Sequence, residues 1–182
     1  MKRMEQISEL LDQVPKAPED SIPMGVTDEE IAQFEERTGI AVPAVFRSWL
    51  RFTNGPCVGP GGFYGILPLR SHLDIEEYLA RFPNWKKRRW IPVAGDGCGN
   101  HYIMPTQNEF GHGYPVFFID VAKSADFPSY IVASDLEHFI VGILRNEIGS
   151  IGWPFDRNKT LAFDPHLLDY LQLHFPWEET DV

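Results

Sequence analysis

The stretch from Trp90 to Ala133 constrains this fold most. Four β-rich runs, Trp90 to Ala94, His101 to Met104, Val116 to Val121 and Tyr130 to Ala133, follow one another across loops of Gly, Asp, Asn and Pro. Helical patterns lie before and after this block, not between its members. That order predicts an α+β domain with a largely antiparallel central sheet and helices packed against it, and it disfavours a doubly wound sheet. Val116-Phe117-Phe118-Ile119 is apolar without alternation, so this strand is expected in the middle of the sheet, covered on both faces. A folded chain of 182 residues hides roughly 70% of the surface its unfolded form exposes, which supports one domain with a full core and no stabilising metal or disulfide.

The flanking helices have readable ends. Met4 to Val14 carries Ile7, Leu10, Leu11 and Val14 on one stripe, and the prolines between Pro15 and Pro23 break it, which reads as an appendage and linker. Thr27 and Glu30 fit a capping box, Val26 is placed to staple onto Ile31, and Gly39 supplies the stop. Val45, Phe46, Trp49, Leu50 and Thr53 predict a more buried helix ended by Asn54-Gly55. Phe63 to Ile66 reads as a short strand, and Ile75, Tyr78, Leu79 and Phe82 as a helix closed by Pro83. Ser134 and Glu137 form a second capping-box pattern before the stripe Leu136, Phe139, Ile140, Ile143 and Leu144. Asp164-Pro165 predicts the start of a last helix bearing Leu167, Leu168, Leu171 and Phe175.

Charge narrows the class of partner. Sixteen Lys and Arg against 26 Asp and Glu give a net charge of -10, which disfavours nucleic acid and anionic membrane surfaces and favours a basic protein partner. No segment approaches the ~20 apolar residues of a membrane span, and Met1 to Leu11 lacks the apolar run of a signal peptide. Two cysteines, Cys57 and Cys98, fit a reducing compartment. The expected location is the cytoplasm.

Motifs for chemistry are few. Gly59-Pro60-Gly61-Gly62-Phe63-Tyr64-Gly65 lacks the Lys-Ser/Thr pair of a phosphate-binding loop and reads as a turn. Asp96-Gly97-Cys98-Gly99-Asn100-His101, with His112 beyond it, places a carboxylate, a thiol and an imidazole close together, but the spacing matches no common zinc pattern. The plainer reading is a tight loop in which Asp96 and Asn100 bond to nearby backbone. Asp96, Asp120 and Asp126 would serve paired-carboxylate hydrolysis only if the fold brought them together. Lys86-Lys87-Arg88-Arg89 after Trp85 suggests nucleic acid, but it is short and reads as a solvated loop between helix and strand. The tail from Glu178 to Asp181 reads as a solvated end. No catalytic residue, metal or cofactor is assigned.

The order of these signals resembles the SUKH superfamily, which includes yeast cell-wall-synthesis regulators and bacterial immunity proteins. The resemblance is carried by Gly39, Val42-Pro43, Phe46 to Leu50, Asn54-Gly55, Phe63 to Ile66, and Ile91-Pro92-Val93-Ala94 running into Asp96 to Asn100. Gly113, Val116 to Asp120, Ile131 to Ser134 and the helix with Phe139 and Leu144 continue it. It covers residues 24–146, leaving an N-terminal helix and Pro-rich linker (1–23) and a C-terminal helical extension (147–182). Val42 stands where the family usually has Leu, Cys98 where it often has Gly, and Asn100 where it usually has Asp. The resemblance implies an α+β domain without a known catalytic site, whose bacterial members mostly neutralise a cognate toxin, often a nuclease, by stoichiometric binding. The expectation is a non-enzymatic cytoplasmic immunity protein contacting a basic toxin through Tyr64, Asp96, Asn100 and Tyr102. The alternatives are a regulatory scaffold, as the fungal relatives suggest, and a hydrolase or metal-binding protein built on Asp96, Cys98 and His101.

Overall fold

The structure, a computed structural model, describes residues 2–15, 22–111, 113–150 and 152–178. In chain order its elements are α1 (Lys2–Gln13), α2 (Asp28–Thr38), α3 (Ala44–Phe52), α4 (Ile75–Arg81), α5 (Pro83–Arg88), β1 (Trp90–Gly95), β2 (His101–Pro105), β3 (Val116–Ile119), β4 (Tyr130–Ala133), α6 (Leu136–Glu147) and α7 (Arg157–Phe163). Single turns of 3-10 helix stand at Ser71–Leu73, Pro165–Asp169 and Pro176–Glu178.

The four strands form one antiparallel sheet in the order β1-β2-β3-β4, the α+β arrangement expected from the run of strands. β3 lies between two neighbours and all four of its residues are buried, as its unbroken apolar run requires. Register places Tyr102 opposite Phe118 and Phe118 opposite Tyr130, so one face carries a cross-strand aromatic row. Ring centroids along it are 5.3 and 4.9 Å apart, and Phe139 of α6 meets Tyr102 at 4.9 Å. His101, one residue before Tyr102, points to the opposite face, where Tyr78 of α4 and Trp85 of α5 cover it. Both open edges of the sheet are occupied. Tyr64 and Gly62 bond to Val93 and Gly95 of β1, and the Ile131 amide of β4 donates to the His174 carbonyl at 2.9 Å.

The capping box forms as its sequence predicts: the Thr27 hydroxyl accepts from the Glu30 amide and the Glu30 carboxylate accepts from the Thr27 amide. Glu35 ties α2 to α3, accepting from the Val42 amide at 2.7 Å and from Arg47 at 2.9 Å. Ile7, Leu10 and Leu11 of α1 and Val14 just beyond it are buried in the main core, with α1 packed on α6. The stripe read as belonging to an appendage is thus core surface.

Several local expectations change. Phe63 to Ile66 does not form a strand, because its successive amides donate to four different places: Pro56, Val93, Leu73 and the Asn54 side chain. Lys86 to Arg88 form the last turn of α5, not a loop, with buried Trp85 anchoring the helix through a 2.7 Å bond from its indole Nε1 to the Ala125 carbonyl. α6 is capped by Asp135, whose carboxylate accepts from the His138 amide at 2.8 Å, and not by Ser134. Ser134 is held by Asp164, which accepts from its amide at 2.7 Å and its hydroxyl at 2.6 Å. The predicted last helix is only a 3-10 turn at Pro165–Asp169, with Leu171 exposed, and the unpredicted α7 precedes it.

Candidate functional site

Two glycine-rich segments far apart in sequence meet backbone to backbone. A Cβ built on Gly61 would lie 2.5 Å from the backbone of Gly95 and Gly97, and one on Gly97 would lie 2.4 Å from the Pro60 carbonyl oxygen. No other residue type permits that approach, and Gly97 also takes a positive φ of 78°. Beside this contact opens a cleft of about 340 Å³, lined by both segments and by Cys57, Tyr64, His72, Tyr78, Asn100 and His101.

Its floor is aromatic. The Tyr64 hydroxyl lies 2.7 Å from His101 Nδ1, Tyr78 stacks on Tyr64 at 4.5 Å, and Phe82 and Trp85 close around the imidazole. Burial, reinforced by the Arg81 charge and only partly opposed by Asp96, drives the His101 pKa down to about 4, so the ring is neutral at pH 7. Burial likewise pushes the Tyr64 phenol far above its usual range and the Tyr102 phenol up to about 12. The Tyr78 hydroxyl donates to the His72 carbonyl at 2.8 Å.

The Asp96 turn closes on itself. One carboxylate oxygen accepts from the Cys98 amide at 2.7 Å and the Asn100 amide at 2.9 Å, and the other accepts from the Asn100 side chain at 2.8 Å. Burial acts to raise this carboxyl, but those hydrogen bonds and the neighbouring His101 outweigh it and hold the pKa below the usual value. Asn100 Oδ1 accepts from the Val121 amide at 3.0 Å, fastening the turn to the end of β3. This is the tight Asx-bonded loop that the spacing suggested.

Of the four residues expected at an interface, Asn100 lines the cleft and Asp96 sits at its margin between the lining residues Gly95 and Gly97, both half-buried. Tyr64 is 2% exposed and belongs to the floor. Tyr102 is half-buried on the opposite face of β2, between Phe118 and Phe139. The Cys98 thiol is exposed, while the His101 Nδ1 is engaged by Tyr64. Asp120 accepts from the Ala122 amide within its own turn, and Asp126 accepts from the Asn84 side chain of α5. His112 lies outside the described residues. Among the described residues no three His, Cys, Asp or Glu side chains gather as a metal-binding group, and no helix is long and apolar enough to cross a membrane. The sequence reading missed His72, Tyr78 and Cys57 as cleft residues. Tyr78 was visible only as a helix-stripe aromatic, and neither of the others carries a local signal.

A family model described as SMI1 / KNR4 family (SUKH-1) matches residues 25–142, well over half of the chain and the whole of the cleft. No curated protein matches the sequence.

Proposed function

Because the chain belongs to the SMI1/KNR4 (SUKH-1) family, we propose that it acts by binding rather than by turnover, as a cytoplasmic immunity protein that occludes a basic toxin in a one-to-one complex. The observation that carries this reading is the Asp96 turn, whose carboxylate oxygens and Asn100 amide are all engaged in holding the loop. A general base needs a free lone pair within reach of substrate, and a nucleophilic thiol needs a base beside it. Asp96 accepts three hydrogen bonds from its own turn, which hold its carboxyl pKa below the usual value and make it a weak base, and His101 Nδ1 is engaged by Tyr64 beneath the surface. The hydrolase built on Asp96, Cys98 and His101 therefore lacks support.

A rigid turn suits recognition instead. It presents a fixed negative charge at the cleft margin without an ordering cost on association. The net charge of -10 steers a basic protein toward the chain, with association rates up to about 10⁸ to 10⁹ M⁻¹s⁻¹ at low salt. Asp96 and Asn100 make the contact in this reading. Tyr64 supports the floor beneath them, and Tyr102 fixes the strand that carries the turn.

The test is to tag the chain in its source cell, recover complexes at low and high salt, and identify what elutes by mass spectrometry. A single basic protein in one-to-one ratio, lost at high salt and weakened by charge reversal at Asp96, supports the proposal. Several cell-wall or signalling proteins would favour the regulatory scaffold instead.

A further inference from the structure

A cationic groove on this acidic chain lies away from the cleft. Lys86, Lys87 and Arg89 line a groove of about 470 Å³ between the end of α2, at Thr38 and Gly39, and Pro83 at the start of α5. All three side chains are exposed. Among the described residues none of them is paired with a carboxylate, whereas Arg37 is bridged to Glu76, Arg47 to Glu35, and Arg51 to Asp28. Arg88 turns elsewhere, its guanidinium lying over the rings of Trp90 and Phe127.

Arg89 is held in place. It adopts the left-handed conformation at φ 60°, a position that favours glycine at a helix end. Its backbone is clamped on both sides: the amide donates to carbonyls of Lys86 and Trp85, and the carbonyl accepts from the Thr106 amide at 2.7 Å and hydroxyl at 2.9 Å. Its guanidinium donates to the Gly39 carbonyl across the groove. A side chain kept in a sparsely populated backbone conformation points to a role for that side chain. One cation would satisfy the carbonyl end of a six-residue helix, so three exceed what α5 needs.

We propose that the groove between the end of α2 and α5 docks a carboxylate-rich peptide segment of a protein partner, gripped by Lys86, Lys87 and Arg89. Charge complementarity selects the occupant. Nucleic acid fits less well, because among the described residues no aromatic side chain lines the groove to stack a base. The surface is distinct from the Asp96 cleft and opposite in sign, so it stands or falls independently of the function proposed above.

The test uses the full chain and a fluorescein-labelled oligoglutamate peptide, followed by fluorescence anisotropy at about 50 and about 300 mM salt. The expected result is saturable binding at low salt that weakens at high salt and falls at least about tenfold in K86E/K87E. R89G should also weaken binding, and because glycine suits the left-handed position, its fold should be intact by thermal melting. Absence of saturable binding, or equal affinity in both variants, would overturn the proposal. So would tighter, equally variant-sensitive binding of a labelled oligothymidine, which would make the groove a nucleic-acid site.

Discussion

The Tyr64 hydroxyl sits 2.7 Å from Nδ1 of His101, joining the glycine-rich loop to the first residue of β2 beneath the cleft. Thirty-seven residues separate the two in sequence. Replacing Tyr64 by Phe keeps the ring stack on Tyr78 and leaves the imidazole nitrogen without its partner. The expected loss of stability is about 1–2 kcal/mol, read by denaturant unfolding.

His101 makes folding pH-dependent. Its pKa is about 4 in the fold and near its ordinary value of 6.5 when unfolded, so the unfolded chain binds the extra proton. Stability from this group is intact above pH 6.5 and declines as pH falls from 6.5 toward 4. A difference of that size amounts to about 3 kcal/mol at most. The Tm of the parent chain should fall across this window, and His101→Gln should flatten the slope between pH 6.5 and 5.

Asp164 is fully buried and accepts from both the amide and the hydroxyl of Ser134, where β4 turns into α6. Asp164→Ala strands the Ser134 amide and hydroxyl and should cost about 3 kcal/mol in chemical denaturation. Ser134→Ala removes only the hydroxyl and should cost about 1 kcal/mol.

Gly142 is the point where α6 admits Trp153. A Cβ there would lie 2.5 Å from the Trp153 ring. Gly142→Val should force Trp153 off the helix, costing about 1–3 kcal/mol and shifting indole fluorescence, with little effect on the cleft.

Cys98 is exposed and uses its backbone, not its thiol, in the Asp96 turn. Cys98→Ala should change stability by less than about 0.5 kcal/mol and leave partner affinity unaltered. Asp96→Lys should break the turn's three hydrogen bonds, reverse the charge at the cleft margin and weaken binding of a basic partner at least about tenfold.

The parts of the fold written in local pattern were legible in the sequence. The strands stand out because β-rich runs alternate with turn residues, and the Thr27 cap because both of its partners lie within one turn. Ser134 and Glu137 mimic the same cap, but Asp135 reaches the helix amide, and Ser134 answers to a carboxylate thirty residues away. α7 escaped notice because it buries only Thr160, leaving no apolar periodicity to read. α5 looked like a loop because one buried Trp85 anchors an otherwise polar segment.

The cleft was half legible. Its glycines and the Asp96 turn could be marked one by one, but their meeting depends on the Gly61 and Gly97 contact across the fold. Tyr64 read as a partner contact on a glycine-rich segment, whereas the side chain is buried and its hydroxyl faces His101. Nothing in the local pattern distinguishes the two orientations.

The most direct measurement of the central claim is a titration of the purified chain against whatever basic protein the pull-down recovers, following any toxic activity that protein has. Stoichiometric occlusion predicts a linear fall in activity that ends at one equivalent, with the endpoint unmoved by Cys98→Ala. Loss of activity at a small fraction of an equivalent, abolished by Cys98→Ala, would show turnover and contradict the account, as would full activity at excess chain.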